Sequence, residues 1–191
     1  VHGCCGRWPR STVVTASLMI VIVTSLVAMF LGACSDPAVV TATRGVRLEP
    51  GVTYSADLDD DGTSEHILVD EQHRSLLLTD GDTCYRSRDK WQVVEAHLGD
   101  TDHDGLLEVV TLLTSERGNH IGLFAYFGGE YRERLVTSSL HPLPVSLEVR
   151  VGEDGGDVIL VTEESADEQT KGTVIYRWNG FGFRVLDTPI E

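Results

Sequence analysis

Apolar side chains along the chain fall into two regimes. From about Thr12 to Leu31 they run almost without a break, long enough to span a bilayer as a helix. From Val52 onward they come as short Val, Leu, Ile and aromatic runs between Gly, Asp and Asn turns, and no stretch carries a helical period. That alternation predicts an all-β domain. Between the two regimes, Ser35 to Pro50 is small, polar and weakly patterned, as a tether would be. The organisation expected is a leader over residues 1–33, a tether over 34–51 and a β domain over 52–191.

Internal repeats order the β domain. Asp57-Leu58-Asp59-Asp60-Asp61-Gly62-Thr63-Ser64-Glu65 and Asp100-Thr101-Asp102-His103-Asp104-Gly105-Leu106-Leu107-Glu108 share the pattern D-x-D-x-D-G-x-x-E at an offset of 43 residues. An eroded third copy is Glu153-Asp154-Gly155-Gly156-Asp157. Downstream of each lies an x-Gly dipeptide, Asp80-Gly81, Gly128-Gly129 and Asn179-Gly180, suited to the positive φ of tight hairpins. These landmarks predict three units of four short antiparallel strands. The first uses Val52 to Ala56, His66 to Val69, Ser75 to Thr79 and Thr83 to Ser87; the second uses Trp91 to Leu98, Val109 to Leu113, Ile121 to Phe127 and Tyr131 to Thr137. The third uses Val145 to Val151, Val158 to Thr162, Thr173 to Trp178 and Phe181 to Leu186. Four-stranded units of this length read as β-propeller blades, although three fall short of the usual four to eight.

Composition narrows the chemistry. With 41% apolar and 24% charged residues, the 191-residue chain is neither a disordered tail nor a polytopic membrane protein. Fifteen basic residues against 30 acidic ones give a net charge of -15, which argues against a phosphate-backbone partner such as nucleic acid. The acidic loops have the spacing a hard cation requires: alternate residues of a curled loop aim oxygens at one point, and Gly at position six permits the turn. Asp57, Asp59 and Asp61 would supply side-chain oxygens in the first loop, Thr63 its carbonyl and Glu65 a carboxylate from the next strand. Asp100, Asp102, Asp104, the Leu106 carbonyl and Glu108 would do the same in the second, so two calcium ions are expected. A solvated, Asx-rich hairpin that binds nothing is the alternative for each loop. An EF-hand needs an acid at position twelve and flanking helices, whereas Leu68 and Thr111 stand there between strands. His103 and Asp60, both at position four, are expected to face solvent. With an acid at position nine in a hairpin context, the loops resemble FG-GAP repeats, the calcium-binding blades of integrin alpha-subunit propellers and many bacterial surface proteins. The resemblance covers about Val52 to Leu186 and implies a metal that stiffens the hairpin without doing chemistry.

The leader has Arg7 and Arg10 ahead of the apolar stretch and no acid before Asp36, the layout of an export signal. Its end, Leu31-Gly32-Ala33-Cys34, resembles the bacterial lipobox, which implies cleavage before Cys34 and lipid on its sulfur. The alternative is an uncleaved transmembrane anchor. The domain would then sit outside the cytoplasm, at a bacterial cell membrane or outer membrane. Removing Arg7 and Arg10 leaves 13 basic and 30 acidic residues, a net charge of -17. Cys84 alone of the four cysteines lies in the domain, so no disulfide forms within it. His97 and His103 make a weak zinc pair, while Trp91, Phe127, Tyr131, Trp178 and Phe183 are expected between blades. The function expected is a non-enzymatic, lipid-anchored module that binds or scaffolds a protein. A protein acting on envelope polysaccharide through a carboxylate pair outside the loops is the alternative.

Overall fold

The computed structural model describes residues 39–164 and 171–186; the leader, Cys34 and residues 165–168 of the acidic stretch that starts at Glu163 lie outside them. The described residues form thirteen strands: β1 (Val39–Thr41), β2 (Thr53–Ala56), β3 (Glu65–Val69), β4 (Leu76–Asp80), β5 (Thr83–Arg86), β6 (Gln92–Gly99), β7 (Glu108–Ser115), β8 (Gly118–Tyr126), β9 (Tyr131–Val136), β10 (Pro144–Val151), β11 (Asp157–Glu164), β12 (Lys171–Trp178) and β13 (Phe183–Leu186). Among the described residues there is no helix. All twelve expected strands are present, with ends that shift by one to three residues.

Three sheets result, β1 to β5, β6 to β9 and β10 to β13, each with its strands in chain order. Alternation sets which side chains point inward. In the first sheet Tyr54, Ile67, Leu78 and Tyr85 lie opposite one another on one face, while His66 and Thr79 share the other. The second sheet is covered on both sides. Val109, Leu113 and Phe124 pack with Ile67, Leu76 and Leu78 of the first sheet. Val110, Leu112, Ile121 and Leu123 on the opposite face pack with Leu147, Val149, Ile159 and Val161 of the third. Burial from both sides explains why β7 reads Glu-Val-Val-Thr-Leu-Leu without polar alternation. Each such fully buried side chain contributes on the order of 1.5–3 kcal/mol.

The segment expected to be a tether is built into this stack from Val39 onward. β1 pairs in parallel with β2 and closes its free edge. The chain then runs along β6, with Gly45 N–H donating to Leu98 O, Leu98 N–H to Val46 O and Leu48 N–H to Ala96 O. Arg44 reaches the third sheet, donating to Asp157 at 2.8 Å and to the Gly155 carbonyl at 2.5 Å. Arg47 pairs with the buried Glu95 carboxylate, whose other oxygen accepts the Leu147 N–H. Ten residues therefore touch all three sheets. Small residues with little pattern suffice here, because backbone hydrogen bonds and two arginines hold the segment.

Candidate metal centre

The two acidic loops join β2 to β3 and β6 to β7, and their backbones match. Position four is left-handed in both, Asp60 at φ 60° and His103 at φ 63°, and position six is Gly62 at 87° and Gly105 at 92°. At position six a side chain would be strained, which accounts for glycine in both copies. Asp59 accepts the Asp61 N–H and Asp61 the Thr63 N–H; Asp102 and Asp104 accept those of Asp104 and Leu106 in the same way. Thr63 and Leu106 thus occupy equivalent places, and Asp60 and His103 face solvent as expected. The acid at position nine also repeats: one Glu65 oxygen accepts the Leu58 N–H at 2.6 Å, and one Glu108 oxygen accepts the Thr101 N–H at 2.8 Å. Each glutamate is thereby fixed at the root of its loop with its second oxygen turned inward.

The second loop brings one oxygen each of Asp100, Asp102, Asp104 and Glu108 within 4.8 Å of one another. Asp100 Oδ1 and Glu108 Oε1 are buried and lack hydrogen-bond partners. Such groups are costly unless something fills the space between them. Arg134 of β9 contributes part of the compensation, at 2.5 Å from Asp102 and 3.5 Å from Glu108. Its guanidinium also lies against the rings of Phe127 and Trp178, each about 5.1 Å from the ring centre. The first loop gathers Asp57, Asp59 and Asp61 in one group, and Asp59, Glu65 and Asp80 in a second. Glu65 is fully buried and its Oε1 is unpartnered. Every carboxylate expected as a ligand is therefore placed with others of its own loop.

Electrostatics follow from this crowding. Burial, ahead of the neighbouring carboxylates, pushes Glu65 upward and raises Glu108 to about 9. Burial likewise raises Asp59 and Asp104, against backbone hydrogen bonds that lower them. Asp61 moves the other way because the Thr63 hydroxyl and N–H both donate to it. Without a cation the interior acids are driven toward the protonated form; a divalent ion would hold them ionised. The chemistry available is oxygen-only ligation of a hard cation.

Three residues of these sites escaped the sequence reading. Asp80 was visible only as half of a turn dipeptide, yet it closes the β4–β5 pairing opposite Thr83 on the same end of the sheet as the first loop. Arg134 looked like any charged strand residue. Asp157 stands at the start of β11, where Glu65 and Glu108 stand in β3 and β7, but its shorter side chain accepts the Asp100 N–H of the neighbouring sheet and the Arg44 guanidinium. Gly99 makes room for this contact: a Cβ there would lie 2.8 Å from Val149 Cγ1 and 3.1 Å from Asp157. The third loop thus serves as a clamp between sheets.

The remaining candidates separate clearly. Among the described residues no group able to hold a metal includes a histidine. His97 is buried between the second and third sheets, and His103 lies at a loop tip. Trp91 and Tyr131 belong to the core and Trp178 and Phe183 pack at its margin, but Phe127 is 49% exposed beneath two arginines. A cleft of about 650 Å³ lies between Asp89, Trp91, Glu116 and Arg117. Both of its carboxylates are exposed, Asp89 in the link from β5 to β6 and Glu116 in the β7–β8 hairpin, so no difference in environment separates an acid from a base. Cys84 is half-buried in β5. Among the described residues no helix is long and apolar enough to cross a membrane. Comparison with known protein families, with curated proteins and with solved structures finds no match to this chain.

Proposed function

We propose that the chain is a calcium-stabilised β-repeat module of the FG-GAP type, held at a bacterial membrane by lipid on Cys34 and serving to bind or scaffold a protein there. The observation that carries the calcium reading is the second loop's convergence of four carboxylates, among them a buried Asp100 Oδ1 without a hydrogen bond and a buried Glu108 Oε1 whose nearest cation, on Arg134, stands 3.5 Å away. Repetition of the same backbone turns 43 residues upstream adds a second, independently built site. Lipidation is supported by the order of basic leader, apolar stretch and lipobox. A binding role fits better than an enzyme, because the best-oriented carboxylates belong to the loops.

Calcium titration of the full chain in detergent tests the first part, with two ions bound and Asp59→Ala and Asp102→Ala each removing one. A chain that takes up no calcium contradicts it. Mass spectrometry of the membrane fraction tests the second part. A diacylglycerol adduct on Cys34 is expected, and a soluble product with an unmodified thiol speaks against the anchor.

A further inference from the structure

The first site has an element that the loop pattern does not contain. In an antiparallel meander the β2–β3 loop and the β4–β5 turn emerge at the same end of the sheet, so Asp80 is carried up to the loop. Its carboxylate lies within 4.8 Å of Asp59 and Glu65. Two buried groups aim into this space: Glu65 Oε1, and the hydroxyl of Tyr131, which comes from β9 of the second sheet and is 6% exposed. The two lie side by side without an aligned hydrogen bond, and Tyr131 also faces Asp59 and Asp80. Two buried oxygens with no well-formed hydrogen bond, beside half-buried carboxylates, leave a position that suits a small hard cation. The second sheet offers nothing comparable. Tyr126, opposite Tyr131, holds the place that Asp80 holds opposite Thr83, and a cationic arginine enters the site instead.

We infer that Asp80 is a calcium ligand, and that the first ion sits inward between Asp59, Glu65 and Asp80, where it staples the β2–β3 loop to the β4–β5 turn beneath Tyr131. The inference rests on the calcium reading above and goes beyond it by placing a ligand outside the loop and making the two sites unequal. Arg134, which competes for the carboxylates of the second site, has no counterpart among the groups gathered at the first, and this makes the first site the tighter of the two.

The test uses the full chain in detergent with calcium alone, and then terbium alone as a luminescent substitute excited through tyrosine. Asp80→Asn is expected to weaken one ion by roughly tenfold or more and leave the other unchanged, whereas Asp82→Asn in the same turn changes neither. Terbium emission should fall in Asp80→Asn and in Tyr131→Phe. Because the Tyr131 hydroxyl lies against the buried Glu65 carboxylate, folding of the phenylalanine variant is checked by its thermal melt beside wild type. If Asp80→Asn binds like Asp82→Asn, or if Tyr131→Phe emits like the wild type, the inward position is refuted while calcium binding stands. If the wild type binds no calcium, the underlying reading falls with it.

Discussion

Arg134 shows how a single side chain sets the character of a site. It supplies one positive charge to Asp102 and Glu108, so it both stabilises the metal-free loop and competes with an incoming cation. Arg134→Met should therefore have opposite effects in the two states. Without metal it leaves buried carboxylates uncompensated and costs roughly 3 kcal/mol. With metal it raises the affinity of the second site, which calorimetric titration beside wild type would reveal. Protonation is the other compensation available. The folded pKa of Glu108, about 9, lies above its ordinary value of 4.5, so between those values the folded chain holds a proton that the unfolded chain has released. Glu65 is shifted in the same direction. Stability in chelator should accordingly be greatest at the acidic end of this window and fall as pH rises from about 5.5 to about 8.5. Calcium, which favours the ionised form, should flatten or reverse that slope. Thermal melts across this range in the two buffers check the sign.

Strands were legible because burial writes itself into alternation. Buried Tyr54 and Ala56, Ile67 and Val69, and Leu76 and Leu78 recur at every second place along β2, β3 and β4, and an x-Gly dipeptide marks the last hairpin of each sheet. The acidic loops were legible for a similar reason, since their ligands lie within nine consecutive residues. What crosses between elements left no such mark. Asp80, Arg134 and Arg44 each act on a partner from another strand or sheet, and no local spacing announces them. The Val39 to Leu48 segment is the largest case, its role coming from backbone pairing with β2 and β6. Deleting it exposes both edges, and free edges pair with other chains. A chain lacking these residues should associate, as light scattering would show, while Arg44→Ala in the intact segment should cost about 1–3 kcal/mol by taking a charged donor from buried Asp157. Gly99→Ala tests the neighbouring clamp. The Cβ contact with Val149 predicts a loss of about 1–3 kcal/mol in denaturant unfolding.

The stack of three sheets holds its strongly negative charge in an uneven way. Cleavage before Cys34 would remove two arginines and leave -17, and the nine carboxylates of the two candidate metal sites, Asp80 included, account for much of the crowding. Two divalent ions would bring the total to -13 and neutralise charge where it is most concentrated. The same ions would fix the loops at one end of the first and second sheets, while the Asp157 clamp fixes the third without metal. An acidic body of this kind would fit the proposed role of presenting a surface beside a membrane. The most direct measurement is thermal unfolding of the full chain in detergent, in calcium and in chelator, with magnesium as a control for ionic strength. At a hundredfold excess over the dissociation constants, two sites contribute about 5 kcal/mol, or roughly 10 to 20 °C in Tm, and magnesium should give much less. Coincident melting in calcium and in chelator would contradict the account.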